Sequence, residues 1–369
     1  MGKSYDTRAL AVLAVFALAV LALLEAARLR QPDPLREEKA VAVALMQRAS
    51  DAVRDAKLRA GIPVDRRLDP NGTGLIGVEY TDITTTLGSL VAKRTSANPA
   101  FAAVVVDMLG RAGVRRGDAV TVGFSGSFPA LNIAVLSAAK VLGLHPVVLS
   151  SVGASTYGAN QPEMTWLDME RILAEEGIFP WRSTAASLGG ITDTGGGLDG
   201  TGIAAGLGAI RRNGVPLIEE NGSATLEADV RKRMALYDRS LGGARPAAFI
   251  NVGGPAISIG DGLEAHRIPT GLLKKVPRVR RQERGIIYLM GERGVPVIHL
   301  LEIKSIAARY GIPVDASPFP AGTLPAFPVT GRYSSPLAAA GLAAMIAFLA
   351  LRRKSGAGAG EGPSAVVPD

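Results

Sequence analysis

Five short runs rich in β-branched and apolar residues, AVTVGF (119–124), PVVLS (146–150), VPLIE (215–219), AAFINV (247–252) and VPVIHL (295–300), alternate with longer segments of helical periodicity. A chain built this way must cover its strands on both sides. The pattern therefore predicts an α/β fold with a mainly parallel sheet and helices on both faces. Helices are expected over about 130–142 and about 162–176, with LIGVEY (75–80) as a further strand. Three helix-to-strand junctions, LGLHPVVLS, NGVPLIE and RGVPVIH, place a glycine at the helix end and a proline at or near the start of the strand. That is helix C-capping chemistry followed by a strand start. The pentapeptide GIPVD occurs at Gly61 and again at Gly311, each time after a helical run, and capping accounts for the repeat.

Both ends of the chain are apolar, in RALAVLAVFALAVLALLEAAR and SPLAAAGLAAMIAFLALRRK. A spanning helix needs about 20 residues, so transmembrane helices are expected over 9–27 and 333–351. A cleaved signal peptide ending near Ala26 is the alternative for the first segment, and a buried core helix the alternative for the second. Lys3 and Arg8 precede the first segment, and Arg352, Arg353 and Lys354 follow the second. The positive-inside rule then places residues 1–8 and a disordered tail over 352–369 in the cytoplasm, at the plasma membrane, with the central domain extracytoplasmic. Arg28, Arg30 and Arg36 oppose that orientation. Between the two segments the pattern predicts an amphipathic juxtamembrane helix over 35–60, an α/β domain over 61–315 and a Pro-rich linker over 316–332.

Composition narrows the chemistry. With no cysteine, disulfides, thiolate catalysis and Cys-based zinc sites are excluded. Forty-one Lys and Arg against 33 acids give a formal charge of +8, and only 5% of residues are aromatic. This suits a polyanion or an anionic membrane surface better than nucleic acid. No cofactor signature is present, and no cofactor or metal is expected.

In an open parallel sheet, sites form beyond the carboxyl ends of the strands. Those ends carry Ser125 and Ser127, then Ser150, Ser151 and Thr156, then Glu219, Glu220 and Asn221, then Asn251, Gly253 and Gly254, and last His299 with Glu302. The stretch GFSGSFPALN (123–132) admits three readings. As a nucleophile elbow it offers Ser125, with His299 or His266 as base and Asp193, Asp199 or Glu302 to orient it, but the usual final glycine is Ser127. As an anion cradle it offers the backbone N–H groups of Gly126, Ser127 and Phe128 at a helix start. As a plain corner it has Ser127 as N-cap and Pro129 in the first turn. No Lys or Arg lies in the loop and the Walker spacing is absent, so a nucleoside triphosphate is not expected.

Two further segments carry charge. DTGGGLDGTG (193–202) reads as a turn or lid, or as a cation loop using Asp193 and Asp199. The run containing Lys274, Lys275, Arg278, Arg280, Arg281 and Arg284 reads as a solvated face, or as a contact for a polyanion or anionic lipid.

The segments EYTDITTTLGSLVAKRTSANPAFA, GDAVTVGFSGSFPALNIAVLSAAKVLGL, SSVGASTYGANQPEMTWLDMERIL and AAFINVGGPAISIG, in that order, resemble the poly-gamma-glutamate system protein family. The likeness covers roughly Leu75 to Leu273 with the flanking apolar helices. It implies a membrane-anchored protein associated with synthesis or export of the poly-gamma-glutamate capsule polymer, with the polymer and the synthase or export subunits as partners. It carries no reaction and so no catalytic residue. The matching positions are Thr84 to Thr86, Lys93, Arg94, Ser125, Gly126, Ser127, Asn132, Ser155, Gly158, Asn160, Asn251 and Gly253. Ser125, Gly126, Ser127, Ser155, Asn160, Asn251 and Gly253 are the expected ligand contacts. A serine-type amidohydrolase or transpeptidase acting on the polymer, using Ser125 with His299, is the alternative; an unrelated anion-binding module is another.

Overall fold

The computed structural model describes residues 7–29, 33–190, 193–218, 225–261, 268–277, 284–320 and 334–357. The chain divides into two units, residues 35–327 and the two ends, 1–34 with 328–369. In chain order the elements are α1 Thr7–Leu29, α2 Arg36–Arg59, β1 Thr84–Thr86, α3 Leu90–Ser96, α4 Ala100–Ala112, β2 Ala119–Ser125, α5 Pro129–Leu142 and β3 His145–Ser151. Next come β4 Ala154–Ser155, β5 Asn160–Gln161, β6 Met164–Thr165, α6 Trp166–Glu175, β7 Ala185–Ser187, β8 Gly189–Gly190, β9 Thr194–Gly196 and α7 Gly200–Arg212. The remainder are α8 Leu226–Ser240, β10 Phe249–Val252, α9 Ala256–Ile259, β11 Gly271–Leu273, α10 Ile286–Glu292, β12 Val297–Leu300, α11 Ile303–Arg309 and α12 Ser335–Ala357.

The larger unit is an α/β fold around a six-stranded sheet of order β11-β12-β10-β2-β3-β7. Every neighbouring pair is parallel except β11 against β12. Residue alternation assigns the two faces. Val120, Val122, Phe124, Val148, Ala186, Ile250 and Ile298 share a core with residues of α2, α4, α5 and α11. Leu149, Ala185, Phe249 and Val297 share the opposite core with residues of α8, α9 and α10. Burial on both sides is what makes these strands read as continuous apolar runs.

The junction glycines behave as expected: Gly143, Gly214 and Gly294 take left-handed φ of +64°, +62° and +68°. Two strands differ from expectation. LIGVEY is an extended segment whose backbone bonds go to a loop, Gly77 N–H to Tyr157 C=O and Tyr157 N–H to Val78 C=O, so it never joins a ladder. VPLIE contributes a single parallel bridge, Leu217 beside Ala186, at the β7 edge.

The helix expected over 35–60 forms as α2, but as part of the α/β unit. Ala42, Met46, Ala49, Val53 and Ala56 recur at helical spacing and are buried in the main core. Lys39 on the same face is buried and paired with Asp107 at 2.8 Å.

In the other unit, α1 is the one helix among the described residues long and apolar enough to cross a membrane, over Leu10–Ala27. The same properties suit a signal sequence. The expected second span over 333–351 is corrected: the apolar part of α12 is Ser335–Leu351, shorter than that length. Alanine and glycine make up nearly half of it and Arg352 ends it, which is the physical reason it falls short. α1 and α12 pack on each other, with Gly341 against Val20.

Candidate functional site

The loops after β2 and β3 meet backbone to backbone. Gly126 N–H donates to Ser151 C=O at 3.0 Å, Ala159 N–H donates to Gly126 C=O at 2.7 Å, and Ser155 N–H donates to Ser127 Oγ at 3.0 Å. Glycine is required where they touch, because a Cβ on Gly126 would lie 2.5 Å from Val152 O. This contact consumes the expected anion cradle. Ser127 N–H donates to Ser125 Oγ and Phe128 N–H to Ser125 C=O, so all three of its N–H groups are engaged internally. The helix begins with Pro129 in the first turn, and Phe128, not Ser127, is its N-cap.

A second pair of elements brings in the charge. β1 pairs in parallel with β4, which carries Ser155, and the chain after β1 enters α3, N-capped by Ser89 and carrying Lys93. Lys93 is 2% exposed. Its Nζ donates to Ser155 Oγ at 2.8 Å and to the Ser127 carbonyl, and sits 3.6 Å from the Phe128 ring centroid. No carboxylate among the described residues bonds it. Burial, with no acid to offset it, pulls the ammonium down to about 7.

These groups line a cavity of about 600 Å³ at the carboxyl edge of the sheet. One wall is polar, from Lys93, Ser125, Ser127, Ser151 and Ser155. Pro255, Ala256, Ile259, Leu301 and Ile303 supply an apolar wall, and Glu302 and Lys304 also line the space. Leu87, another lining residue, is 90% exposed.

Of the expected ligand contacts, Ser125, Ser127 and Ser155 line this cavity. The others serve the scaffold. Asn160 ties the 78–84 segment down through Val78 and Thr84, and Asn251 donates to the Gly253 carbonyl at 2.7 Å. Gly253 takes a left-handed φ of +86° beside Ser125. The pairing of Ser125 with His299 does not form. His299 is fully buried on β12, its Nδ1 is 2.9 Å from Asn251 Nδ2, and burial pulls it down to about 4. Ser125 Oγ instead accepts from the Ser127 N–H.

Two of the three candidate orienting acids, Asp199 and Asp193, are committed elsewhere, whereas Glu302 lines the cavity. Asp199 N-caps α7 by accepting from Gly202 N–H at 2.8 Å. Asp193 accepts from Arg233 Nε and Nη2 at 2.7 and 2.9 Å and from Ser187 Oγ at 2.7 Å. Among the described residues no cluster of three or more His, Asp or Glu is placed to hold a metal ion. His266, Glu219, Glu220, Asn221, Arg278, Arg280 and Arg281 lie outside the described residues. Lys274 and Lys275 are exposed, and Arg284 pairs with Glu292.

Sequence reasoning missed Arg233, which also reaches Ser151 Oγ at 2.9 Å and Ser187 Oγ at 2.7 Å behind the cavity. Its signal was its place on α8, where Val230, Met234 and Tyr237 mark the buried face. Lys93 and Ser155 entered only as separate matching positions. Their contact spans 62 residues of sequence. No family model matches this chain, and neither a curated protein nor a solved structure matches it.

Proposed function

We propose that this chain is a membrane-anchored accessory protein of poly-gamma-glutamate synthesis or export, whose α/β domain binds a carboxylate of the glutamyl polymer in the cavity at the sheet edge. α1 is the anchor, and the central domain is extracytoplasmic, where polymer and its synthase or export subunits meet it. The observation that carries the binding reading is Lys93, a buried amine in the wall of that cavity to which no acid among the described residues is bonded. Elsewhere in the same unit the buried Lys39 has Asp107 at 2.8 Å. A carboxylate entering the cavity supplies the partner Lys93 lacks, and the surrounding serine hydroxyls supply neutral donors.

The reading has a calorimetric test. The purified full chain in detergent is titrated with γ-linked pentaglutamate in two buffers of different ionisation enthalpy. Because a bound carboxylate favours the ammonium form, uptake approaching one proton per site is expected at pH 8 and almost none at pH 6. Lys93→Met is expected to abolish binding. Binding without proton uptake, or binding that survives Lys93→Met, removes the reading.

A further inference from the structure

We propose that Ser155 is the nucleophile, and Lys93 the general base, of an amide-bond hydrolase acting on the glutamyl chain. This rests on the reading above that the cavity receives such a chain, and it adds a reaction for the register in which an amide, not a carboxylate, faces a neutral Lys93. Lys93 Nζ lies 2.8 Å from Ser155 Oγ, within direct proton-transfer reach, and Ser155 lines the cavity. Among the described residues Ser125 has no base in comparable contact: its Oγ accepts from the Ser127 N–H, and His299 is bonded to Asn251. Ser155 is held from both sides, by the β1–β4 pairing and by its own N–H on Ser127 Oγ. A lysine serves as base only where its neutral form is accessible at ordinary pH, and burial without a neighbouring acid produces that here.

The reaction balances with water as the only co-reactant. The Lys93 lone pair takes the Ser155 hydroxyl proton while Oγ bonds to the amide carbonyl carbon, giving a tetrahedral oxyanion beside a new ammonium. Collapse breaks the C–N bond, and Lys93 returns the proton to the leaving nitrogen, releasing an amine and leaving an ester on Ser155. Water, deprotonated by Lys93, attacks that ester; its C–O bond breaks, Lys93 returns that proton to Ser155 Oγ, and the carboxylic acid so formed passes its own proton to Lys93. The product is then a carboxylate facing an ammonium, the same pair invoked for binding. The Phe128 ring 3.6 Å from Nζ favours the ammonium as it forms. The apolar part of the lining suits the two methylenes that a γ-linkage places in the main chain.

The test incubates the full chain in detergent with γ-linked pentaglutamate and reads new amines by mass spectrometry, in parallel with the calorimetry. Release is expected from the wild type, falling roughly 100-fold or more in Ser155→Ala and in Lys93→Met. Ser155→Ala should still bind the oligomer. An alkyl fluorophosphonate should form an adduct on wild-type Ser155, which decides the matter even if a variant does not fold. Binding without release by the wild type overturns the hydrolase and leaves the binding reading standing. Neither binding nor release removes both. Release that persists in Ser155→Ala, or an active wild type whose adduct maps to another serine, overturns the assignment.

Discussion

Arg233 and Asp193 form a two-bond ion pair, 2.7 and 2.9 Å, in which both side chains are almost fully buried, and the same guanidinium holds Ser151 and Ser187. Asp193 takes a left-handed φ of +62° to meet it. The pair therefore joins α8, the ends of β3 and β7 and the loop after β8 behind the cavity wall.

Breaking such a pair from one side leaves an uncompensated buried charge, which costs roughly 3 to 5 kcal/mol. Arg233→Met is expected to lose that much in urea denaturation, and adding Asp193→Asn should restore at least half. A single-variant cost below about 1 kcal/mol would show that the pair contributes little.

Glu170 is fully buried and accepts from Ser183 N–H at 2.7 Å and Ser183 Oγ at 2.9 Å, yet burial pushes it up to about 7 from an ordinary 4.5. Between those values the folded chain holds a proton that the unfolded chain has released. Stability should therefore fall as pH rises from 4.5 to 7, by roughly 3 kcal/mol from this group. Because His299 and Lys93 contribute in the opposite sense over parts of this range, the readout is the difference from Glu170→Gln: between pH 5 and pH 8 the wild type should lose roughly 2 to 3 kcal/mol relative to that variant, and parallel curves contradict the account.

Lys93 acts in the opposite sense and in a separate window. Between about 7 and 10.5 the unfolded chain keeps a proton that the folded chain has lost, so stability should rise with pH there. Below 7 the buried ammonium carries a cost of roughly 5 kcal/mol relative to an exposed one. Lys93→Met should be more stable than wild type at pH 6 and should lose the rise between about pH 7 and 8, while the part above 8 that buried Lys57, pulled down to about 8, contributes should remain. A wild-type stability curve that is flat from pH 7 to 10 contradicts this account.

Because the chain has no cysteine, a single one introduced at the exposed Ser240 reports the side of the membrane. With the central domain outside, a membrane-impermeant maleimide should label Ser240→Cys in intact cells. Labelling that appears only after permeabilisation reverses the orientation.

Local chemistry made much of the fold readable before any coordinates. The runs around Val122, Val148, Ile250 and Ile298 announced buried parallel strands, and the capping glycines at 143, 214 and 294 announced where helices end. Both signals are written in consecutive residues, since strand burial and left-handed capping depend on near neighbours. α2 was equally readable as a helix, but its destination was not, because an amphipathic stripe states that a face must be covered without naming the cover.

The site shows the same division. Composition excluded thiol chemistry outright, and topology pointed to the strand ends where Ser125, Ser127 and Ser151 line the cavity. Which serine meets a base was decided only by tertiary structure. Lys93 reaches Ser155 because β1 pairs with β4, His299 is drawn away by Asn251 in the next strand, and Arg233 meets Asp193 across 40 residues. Proton transfer and charge pairing act over a few ångströms, and residues far apart in sequence come that close only through the pairing of strands and the burial of helix faces.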